Sequence, residues 1–311
     1  MDFAPICLFT YNRLNETKKT VEALQNNFLS TESDLIIFSD SAKNESSFES
    51  VQNVRAYINK VTGFKSVKII ERDENYGLAK SIIEGVSQII NEYGRVIVVE
   101  DDLITAPNFL NFMNQSLDFY IDKEKVFSIS GFCLQITPPD NYENDSFFWG
   151  RAHPWGWATW LDRWNTVDWE IKDWPQLMSD KKKKSEFNAY GTDLFNMLRK
   201  AMEGRINSWY IKFTYNQFNK NKLTVYPLES KVINIGFTNA ATHCDTYNRN
   251  IVTFDRSNRT EFCLSPELII DESLRTQLFR YKSISYRIIG KVLTYLMKFG
   301  VIKQKIQKGR Y

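Results

Sequence analysis

The first hundred residues alternate between short apolar runs and helical patterns. Each run is apolar on both faces, which is typical of strands in a parallel sheet with helices on both sides. The predicted strands are 4–9, 34–40, 66–72 and 95–100, and the helical patterns between them cover 15–27, 47–61 and 77–92. This alternation predicts an α/β fold with a mostly parallel sheet flanked by helices.

The pattern changes after residue 105. The later predicted elements are a helix over 107–121, a strand over 126–130, a loop-rich stretch over 131–175, helices over 183–203 and 208–220, a strand over 223–228 and a loop over 234–245. We expect one domain over 1–250, with a first half at 1–105 and a second half at 106–250, followed by an extension over 251–311.

The extension carries one long helical pattern over 273–309. At 100° per residue its basic side chains fall within about 40° of one another; they are Arg280, Arg287, Lys291, Lys298 and Lys305. The opposite side carries Leu278, Ile289, Val292, Leu293, Leu296 and Phe299. A basic amphipathic helix is typical of an element that lies on a membrane surface. The alternative is a helix packed on its own domain with solvated lysines.

Charge is unevenly distributed along the chain, although the net charge is only +3. From Arg275 onward there are ten basic and no acidic residues, whereas residues 1–274 carry 30 basic and 37 acidic ones. This distribution favours a membrane surface over nucleic acid as a partner. No signal-peptide pattern and no run of about 18 apolar residues occurs, and four widely spaced cysteines favour a reducing compartment.

Polar clusters follow all four strands of the first half. They are Thr10–Arg13, Ser39–Ser41, Arg72–Asn75 and Glu100–Asp102. Because ligands of open α/β sheets bind beyond the carboxyl ends of the strands, we expect these clusters to form one site.

Three carboxylates end the fourth strand, in the run VIVVEDDLI over 96–104. Hard carboxylate oxygens suit Mg²⁺ or Mn²⁺, and such an ion can neutralise a diphosphate leaving group. Neither GxxxxGK[ST] nor GxGxxG is present, so no glycine-rich loop of those types holds phosphate. A solvated strand end is the alternative interpretation.

The order of these motifs resembles that of GT-A fold glycosyltransferases, which have a Rossmann-like sheet. The nearest groups are bacterial enzymes related to family 2 and to N-acetylglucosaminyltransferase I. The similar blocks are ICLFTYNR (6–13), FSDSA (38–42), RDENYGLAKSIIEGV (72–86), VVEDDL (98–103), HPWGWATW (153–160), YPLESKVINIGF (226–237) and THC (242–244). The resemblance spans about 4–245 and depends on the order of the blocks.

The resemblance implies a role for each matching residue. The implied donor pocket contains Thr10, Asn12, Arg13, Asp40, Asn75, Lys80, Glu100 and Asp101. In it, Asp40 would accept from a nucleobase imide, which favours uridine, and Arg13 and Lys80 would contact the diphosphate. Asp102 would be the Mn²⁺ or Mg²⁺ ligand, with His243 as a second ligand.

Aromatic residues crowd the second half, where residues 147–174 hold seven of the eight tryptophans. Aromatic rings suit sugar stacking, and Trp155, Trp157 and Trp209 are therefore acceptor candidates. A large aromatic core is the alternative.

The general base is the point at which this chain departs from the family pattern. Many relatives place an Asp after a Trp, but here SWYIKF over 208–213 carries Tyr210, whose ordinary pKa is about 10. A positioned base contributes roughly 10²–10⁴ in rate. The candidate bases are Asp193, Glu203 and Asp162, each with a plain surface charge as the alternative.

The expected function is metal-dependent, inverting transfer of a hexosyl or N-acetylhexosaminyl group from a UDP-sugar. The acceptor would be a glycan or a lipid-linked glycan in bacterial surface polysaccharide synthesis, with the protein in the cytoplasm and peripheral on the inner membrane face. One alternative is a catalytically silent GT-A-like protein that binds a glycan or partner at the membrane. A sugar-1-phosphate nucleotidyltransferase fits less well, because TYNRLNE is not a glycine-rich, basic loop.

Overall fold

The computed structural model describes residues 2–236, 250, 252–299 and 301. The strands are β1 (Ile6–Thr10), β2 (Asp34–Ser39), β3 (Ser66–Glu71), β4 (Arg95–Glu100), β5 (Leu103–Thr105), β6 (Val126–Ser130), β7 (Ser146–Trp149), β8 (Trp157–Trp160), β9 (Leu223–Pro227) and β10 (Val232–Asn234). Eight of them form one sheet in the order β3-β2-β1-β4-β8-β6-β9-β7, and β5 pairs with β10 in a separate antiparallel ribbon.

The helices lie between these strands and after the last of them. They are α1 (Leu14–Gln25), α2 (Glu45–Ile58), α3 (Gly77–Tyr93), α4 (Phe109–Phe119), α5 (Leu161–Trp164), α6 (Trp174–Ser179), α7 (Lys181–Asn188), α8 (Leu194–Met202), α9 (Trp209–Asn219), α10 (Glu272–Lys282) and α11 (Ile284–Lys298). Buried apolar clusters cover both faces of the sheet. The predicted fold class is confirmed: a mostly parallel sheet flanked by helices and followed by C-terminal helices.

Parallel pairing brings the polar strand ends together. β1 lies between β2 and β4, and Phe9 is level with Phe38 on one side and with Glu100 on the other. The residues after these three strands therefore meet at one edge of the sheet, as the sequence predicts. The sheet then continues through β8, which runs antiparallel to β4.

Two strands lie inside the stretch 131–175, which we predicted to be loop-rich. β7 and β8 have only four residues each, and every one of these residues is buried. Their sequences, SFFW and WATW, lack the polar–apolar alternation of a half-buried strand. This is why the periodicity did not reveal them.

Two helices predicted to be continuous are interrupted. The predicted helix 183–203 is divided into α7 and α8 around Gly191, whose φ of 153° is not helical. The predicted tail helix is divided at Ser283, which is extended at φ −72° and ψ 161°. The Ser283 hydroxyl caps the new helix by accepting from the Tyr286 N–H at 3.3 Å. The domain boundary at residue 250 stays a prediction.

Candidate functional site

An arginine bridges the two aspartates that follow β4. Arg13 donates from Nη2 to Asp101 Oδ1 at 2.5 Å and from Nη1 to Asp102 Oδ2 at 3.1 Å. Its position is fixed because its carbonyl accepts from the Thr17 N–H at the start of α1. The Tyr11 N–H also donates to Asp101, at 3.3 Å. Loops after adjacent parallel strands thus form a partly buried ion-pair cluster.

The segment after β10 covers this cluster from the other side. Asn234 donates from Nδ2 to Asp102 Oδ1 at 3.1 Å, and the Ile235 N–H donates to the Asp102 carbonyl at 2.8 Å. A Cβ at position 236 would collide with Asp102 Oδ2, so only Gly236 allows the backbone to pass here. Asn234 and Gly236 lie in a block that carries the family resemblance, but we did not predict them as site residues.

Negative charge at the cluster exceeds what Arg13 offsets. Burial raises the pKa of Asp101 to about 6, although Arg13 acts to lower it. The pKa of Asp102 is raised in the same way, and that of Glu100 is raised well above its ordinary value by burial and then by repulsion from both aspartates. A further cation would offset the repulsion and burial that raise these pKa values, and carboxylate oxygens are suitable ligands for it.

Asp40 fixes the loop that leads into α3. Its Oδ1 accepts from the N–H groups of Ser41 at 3.0 Å and Tyr76 at 2.9 Å. Its Oδ2 accepts from Asn75 Nδ2 at 3.1 Å and the Gly77 N–H at 2.9 Å. These four hydrogen bonds engage both oxygens, so contact with a nucleobase would have to displace or share one of them. The structure thus brings Asp40 and Asn75 together, and their part in a donor pocket stays a prediction.

The remaining predicted donor residues occupy the same edge in different ways. The Thr10 side chain is buried and donates to the Phe38 carbonyl at 3.3 Å, whereas Asn12 is partly exposed. Lys80 is 3.6 Å from Glu74 and 3.9 Å from Glu84, and its Nζ lies 3.8 Å from the centroid of the Tyr76 ring. These acids would compete with an anionic ligand for the lysine.

Arg72 is a candidate that we did not single out from the sequence. It follows β3 at the same edge, and its guanidinium lies 4.7 Å from the centroid of the Tyr76 ring. Its buried Nε and Nη2 have no hydrogen-bond partner among the residues that the structure describes. Buried donors without partners are uncommon in folded proteins, so this guanidinium could bind an anionic or carbonyl group of a ligand.

The donor set fits a hard divalent cation in chemistry, with Asp102 and Asp101 as the carboxylates. Such an ion would have to take Asp102 Oδ2 from Arg13 or Oδ1 from Asn234. Among the residues that the structure describes, no group of three His, Cys, Asp or Glu side chains could hold a metal ion. The predicted second ligand, His243, lies outside those residues.

Two of the three tryptophans that we expected at the acceptor belong to the core. Trp157 is 1% exposed and Trp209 is 4% exposed, and their rings stack at a centroid distance of 4.9 Å. Rings that are covered by protein on both faces have no surface for a sugar, so this expectation is wrong for Trp157 and Trp209. Only Trp155 is partly exposed, in edge contact with His153 and Phe132.

Tyr210, at the position where many relatives carry the base, belongs to a hydrogen-bonded set of polar side chains. Arg151 donates from Nε to the Tyr210 hydroxyl at 2.8 Å, and from Nη1 and Nη2 to the two oxygens of Asp193 at 2.8 and 2.9 Å. Burial acts to raise the pKa of Asp193, but Arg151 outweighs burial and holds it below the usual range. Such a carboxylate is a weak proton acceptor.

The other two base candidates are paired at the surface. Glu203 lies 3.1 Å from Arg205 and 3.8 Å from Arg199, and Asp162 lies 2.8 Å from Arg163. The Asp162 side chain is 61% exposed. None of these contacts joins either acid to the cluster around Asp102.

Comparison with known proteins gives a family match to the first part of the chain. Residues 6–121, a little over a third of the chain, match the family described as glycosyl transferase family 2. This match and the fold confirm the resemblance to GT-A fold glycosyltransferases. The narrower relation to N-acetylglucosaminyltransferase I stays a prediction. No curated protein matches the chain significantly.

The solved structures that match the chain have low sequence identity and low TM-scores. TarS from S. aureus has 16% identity and a TM-score of 0.30, and the match covers 46% of this chain but only 23% of TarS. The mannosyltransferase PcManGT from Pyrobaculum calidifontis, in complex with GDP-Man and Mn²⁺, has 11% identity and a TM-score of 0.38. The match covers 70% of this chain and 68% of PcManGT. A UDP-glucose pyrophosphorylase complexed with UDP-glucose has 13% identity and a TM-score of 0.33, and the match covers 72% of this chain and 90% of the pyrophosphorylase.

Proposed function

We propose that the protein transfers a sugar from a nucleotide diphosphate donor to an acceptor hydroxyl. The observation that carries this proposal is the Arg13, Asp101, Asp102 and Asn234 cluster. It lies at the carboxyl edge of the sheet, within a chain whose residues 6–121 match glycosyl transferase family 2. Open α/β sheets bind their ligands at this edge.

Each side chain at the edge has a part in the proposed reaction. Asp101 and Asp102 would hold Mn²⁺ or Mg²⁺, which neutralises charge on the leaving diphosphate. Arg13, already at the acid pair, would contact the diphosphate, and Arg72, at the same edge of the sheet, has donors without partners among the described residues. We further propose a UDP-sugar donor, hexosyl or N-acetylhexosaminyl transfer with inversion, and a glycan or lipid-linked acceptor in bacterial surface polysaccharide synthesis.

Donor-dependent release of UDP tests this proposal directly. With Mn²⁺ present, a UDP-sugar should raise the unfolding temperature and release UDP, and a GDP-sugar serves as the comparison donor. Asp102→Asn should lower UDP release about 100-fold or more, because it removes the carboxylate that binds the cation. The matched control is Glu186→Gln, which alters an exposed carboxylate on α7 and should release UDP at the unchanged rate.

A catalytically silent GT-A-like protein that binds a glycan or a partner at the membrane is the second candidate function. The observation that favours it is the pairing of Tyr210 and Asp193 with Arg151, which leaves no described carboxylate free at the expected base position. A silent protein should release no UDP from any donor. Absence of both stabilisation and release with every nucleotide would contradict the transferase and leave the silent protein as the supported candidate.

A further inference from the structure

The last helix turns its apolar residues outward. Six large apolar side chains on α11 and at its end are 51–78% exposed; they are Ile284, Ile288, Ile289, Val292, Tyr295 and Phe299. At 100° per residue they occupy one side of the helix, an arc of about 140°. Contiguous apolar surface of this kind marks an interaction site in soluble proteins.

The outward direction of this face follows from how the helix is attached. α10 is seated in the main core by Leu274 and Leu278, which are 0% and 1% exposed. The junction is tied down because Thr192 donates to the Lys282 carbonyl from its N–H at 3.3 Å and from its Oγ1 at 2.8 Å. Gly290 of α11 is buried on the opposite side. The apolar face is thus held away from the body of the protein.

The charged residues around this apolar face indicate what kind of partner it binds. Arg287 and Lys291 lie along one flank of the apolar arc, and Glu272 is the last acidic residue of the chain. Two copies that met antiparallel through α11 would bring these cations towards each other, which opposes that mode of self-association. An anionic lipid surface complements both the cations and the apolar arc.

We propose that α11 is an interfacial membrane helix that lies along an anionic bilayer. Its apolar arc would enter the boundary between headgroups and acyl chains, with Arg287 and Lys291 at the anionic headgroups. Within the described ranges, no helix is long and apolar enough to cross a membrane. Because the junction rests on Thr192, next to the Asp193 and Arg151 pair, the second half of the domain faces the bilayer.

Vesicle binding by the full chain tests the membrane proposal. We expect binding to vesicles of phosphatidylcholine with phosphatidylglycerol, weaker binding to phosphatidylcholine alone, and release at high salt because screening weakens attraction to the anionic lipid. The double variant Ile288→Asp with Val292→Asp should lower the bound fraction about tenfold or more. The control is Phe48→Asp, which changes a 59% exposed aromatic on α2 and should bind as the unmodified protein does.

The same variants separate the alternatives. Unmodified protein that binds neither kind of vesicle overturns the proposal, and so does a double variant that binds as well as the control. A dimer in lipid-free solution that the double variant converts to a monomer, without vesicle binding, would assign the face to a second copy. Equal unfolding temperatures of the two variants exclude a folding defect as the cause. Donor binding and UDP release should be unchanged in the double variant, so failure here is distinct from failure of the proposed transfer.

Discussion

Arg13 is the cation that the structure places between two adjacent carboxylates. Its two contacts span 88 and 89 positions of sequence and join the loops after β1 and β4. A planar guanidinium suits this arrangement because it donates two bonds in a fixed fork, which a lysine does not. A divalent ion that binds Asp102 must therefore compete with a side chain of the protein itself.

Replacement of Arg13 should expose this competition. Arg13→Met leaves buried carboxylates without their cation, so we expect a loss of stability of about 3 kcal/mol in the absence of metal. Mn²⁺ should restore more stability to this variant than to the unmodified protein, because its competitor is gone. Thermal unfolding with and without Mn²⁺ measures both effects.

Arg13→Lys is the matched control for charge. It retains a cation but not the fork, and its stability should fall between those of the other two proteins. If Mn²⁺ stabilises all three proteins equally, Arg13 and the metal ion do not share the carboxylates.

At the scale of elements, α10 and α11 separate two roles that the sequence merged in one helix. The predicted tail helix begins at 273, directly before Leu274, whose side chain is fully buried. A cut there removes core residues together with the outward helix. The first residue that a functional truncation should omit is therefore Ser283, where the two helices part.

Two truncations distinguish these roles. A chain that ends at Lys282 should unfold within a few degrees of the full chain and should lose vesicle binding. A chain that ends at Asp271 loses Leu274 and Leu278 from the core and should be destabilised by roughly 2–5 kcal/mol for each leucine. Circular dichroism melts and vesicle sedimentation measure the two properties. A marked loss of stability in the longer fragment would show that α11 also packs as a structural helix.

At the scale of the whole molecule, the chain after residue 250 is joined to the second half of the domain through a buried ion pair. Lys231 and Asp255 are 2% and 1% exposed and are hydrogen-bonded to each other. Asn108, at the start of α4, also donates to Asp255, at 3.0 Å. Further along, the Asp145 N–H donates to the Cys263 carbonyl at 2.7 Å. These contacts fasten residues 252–265 across the domain.

The ion pair between Lys231 and Asp255 predicts that the protein loses stability at acidic pH. Burial acts to raise the pKa of Asp255, but its hydrogen bond and attraction to Lys231 prevail and lower it to about 2. Its contribution to stability is therefore present above its unfolded pKa, about 3.9, and is lost as the pH falls through about 2. Asp255→Asn should cost about 3–5 kcal/mol at neutral pH, because Lys231 stays buried without its partner charge.

Chemical unfolding at a series of pH values checks this prediction. The free energy of unfolding should fall less steeply below about pH 4 in Asp255→Asn than in the unmodified protein. Glu186→Gln, in an exposed pair 3.9 Å from Lys182, should change stability by less than about 1 kcal/mol. If the two substitutions lowered the free energy of unfolding equally, the buried pair would stabilise the protein no more than the exposed pair does.

The sequence by itself determined the sheet of the first half and the edge at which its polar residues meet. β4 spans the predicted 95–100 and β6 the predicted 126–130, because runs of buried apolar residues are a local signal. Because the strands pair in parallel as predicted, the acids after β4 lie at the edge of the sheet where ligands of such folds bind. Family motifs then indicated what kind of site this edge forms.

Only the tertiary structure decided which partners those residues have. Periodicity shows that a side chain is buried but not what covers it. Trp157 and Trp209 were therefore predicted to stack on a sugar, whereas in the structure they stack on each other. Contacts such as Asn234 with Asp102, 132 positions apart, depend on how distant elements pack. The outward face of α11 depends likewise on the turn at Ser283 and on the seating of α10. The local sequence pattern determines the helices and strands, whereas long-range packing determines which side chains contact each other and therefore what the site can bind.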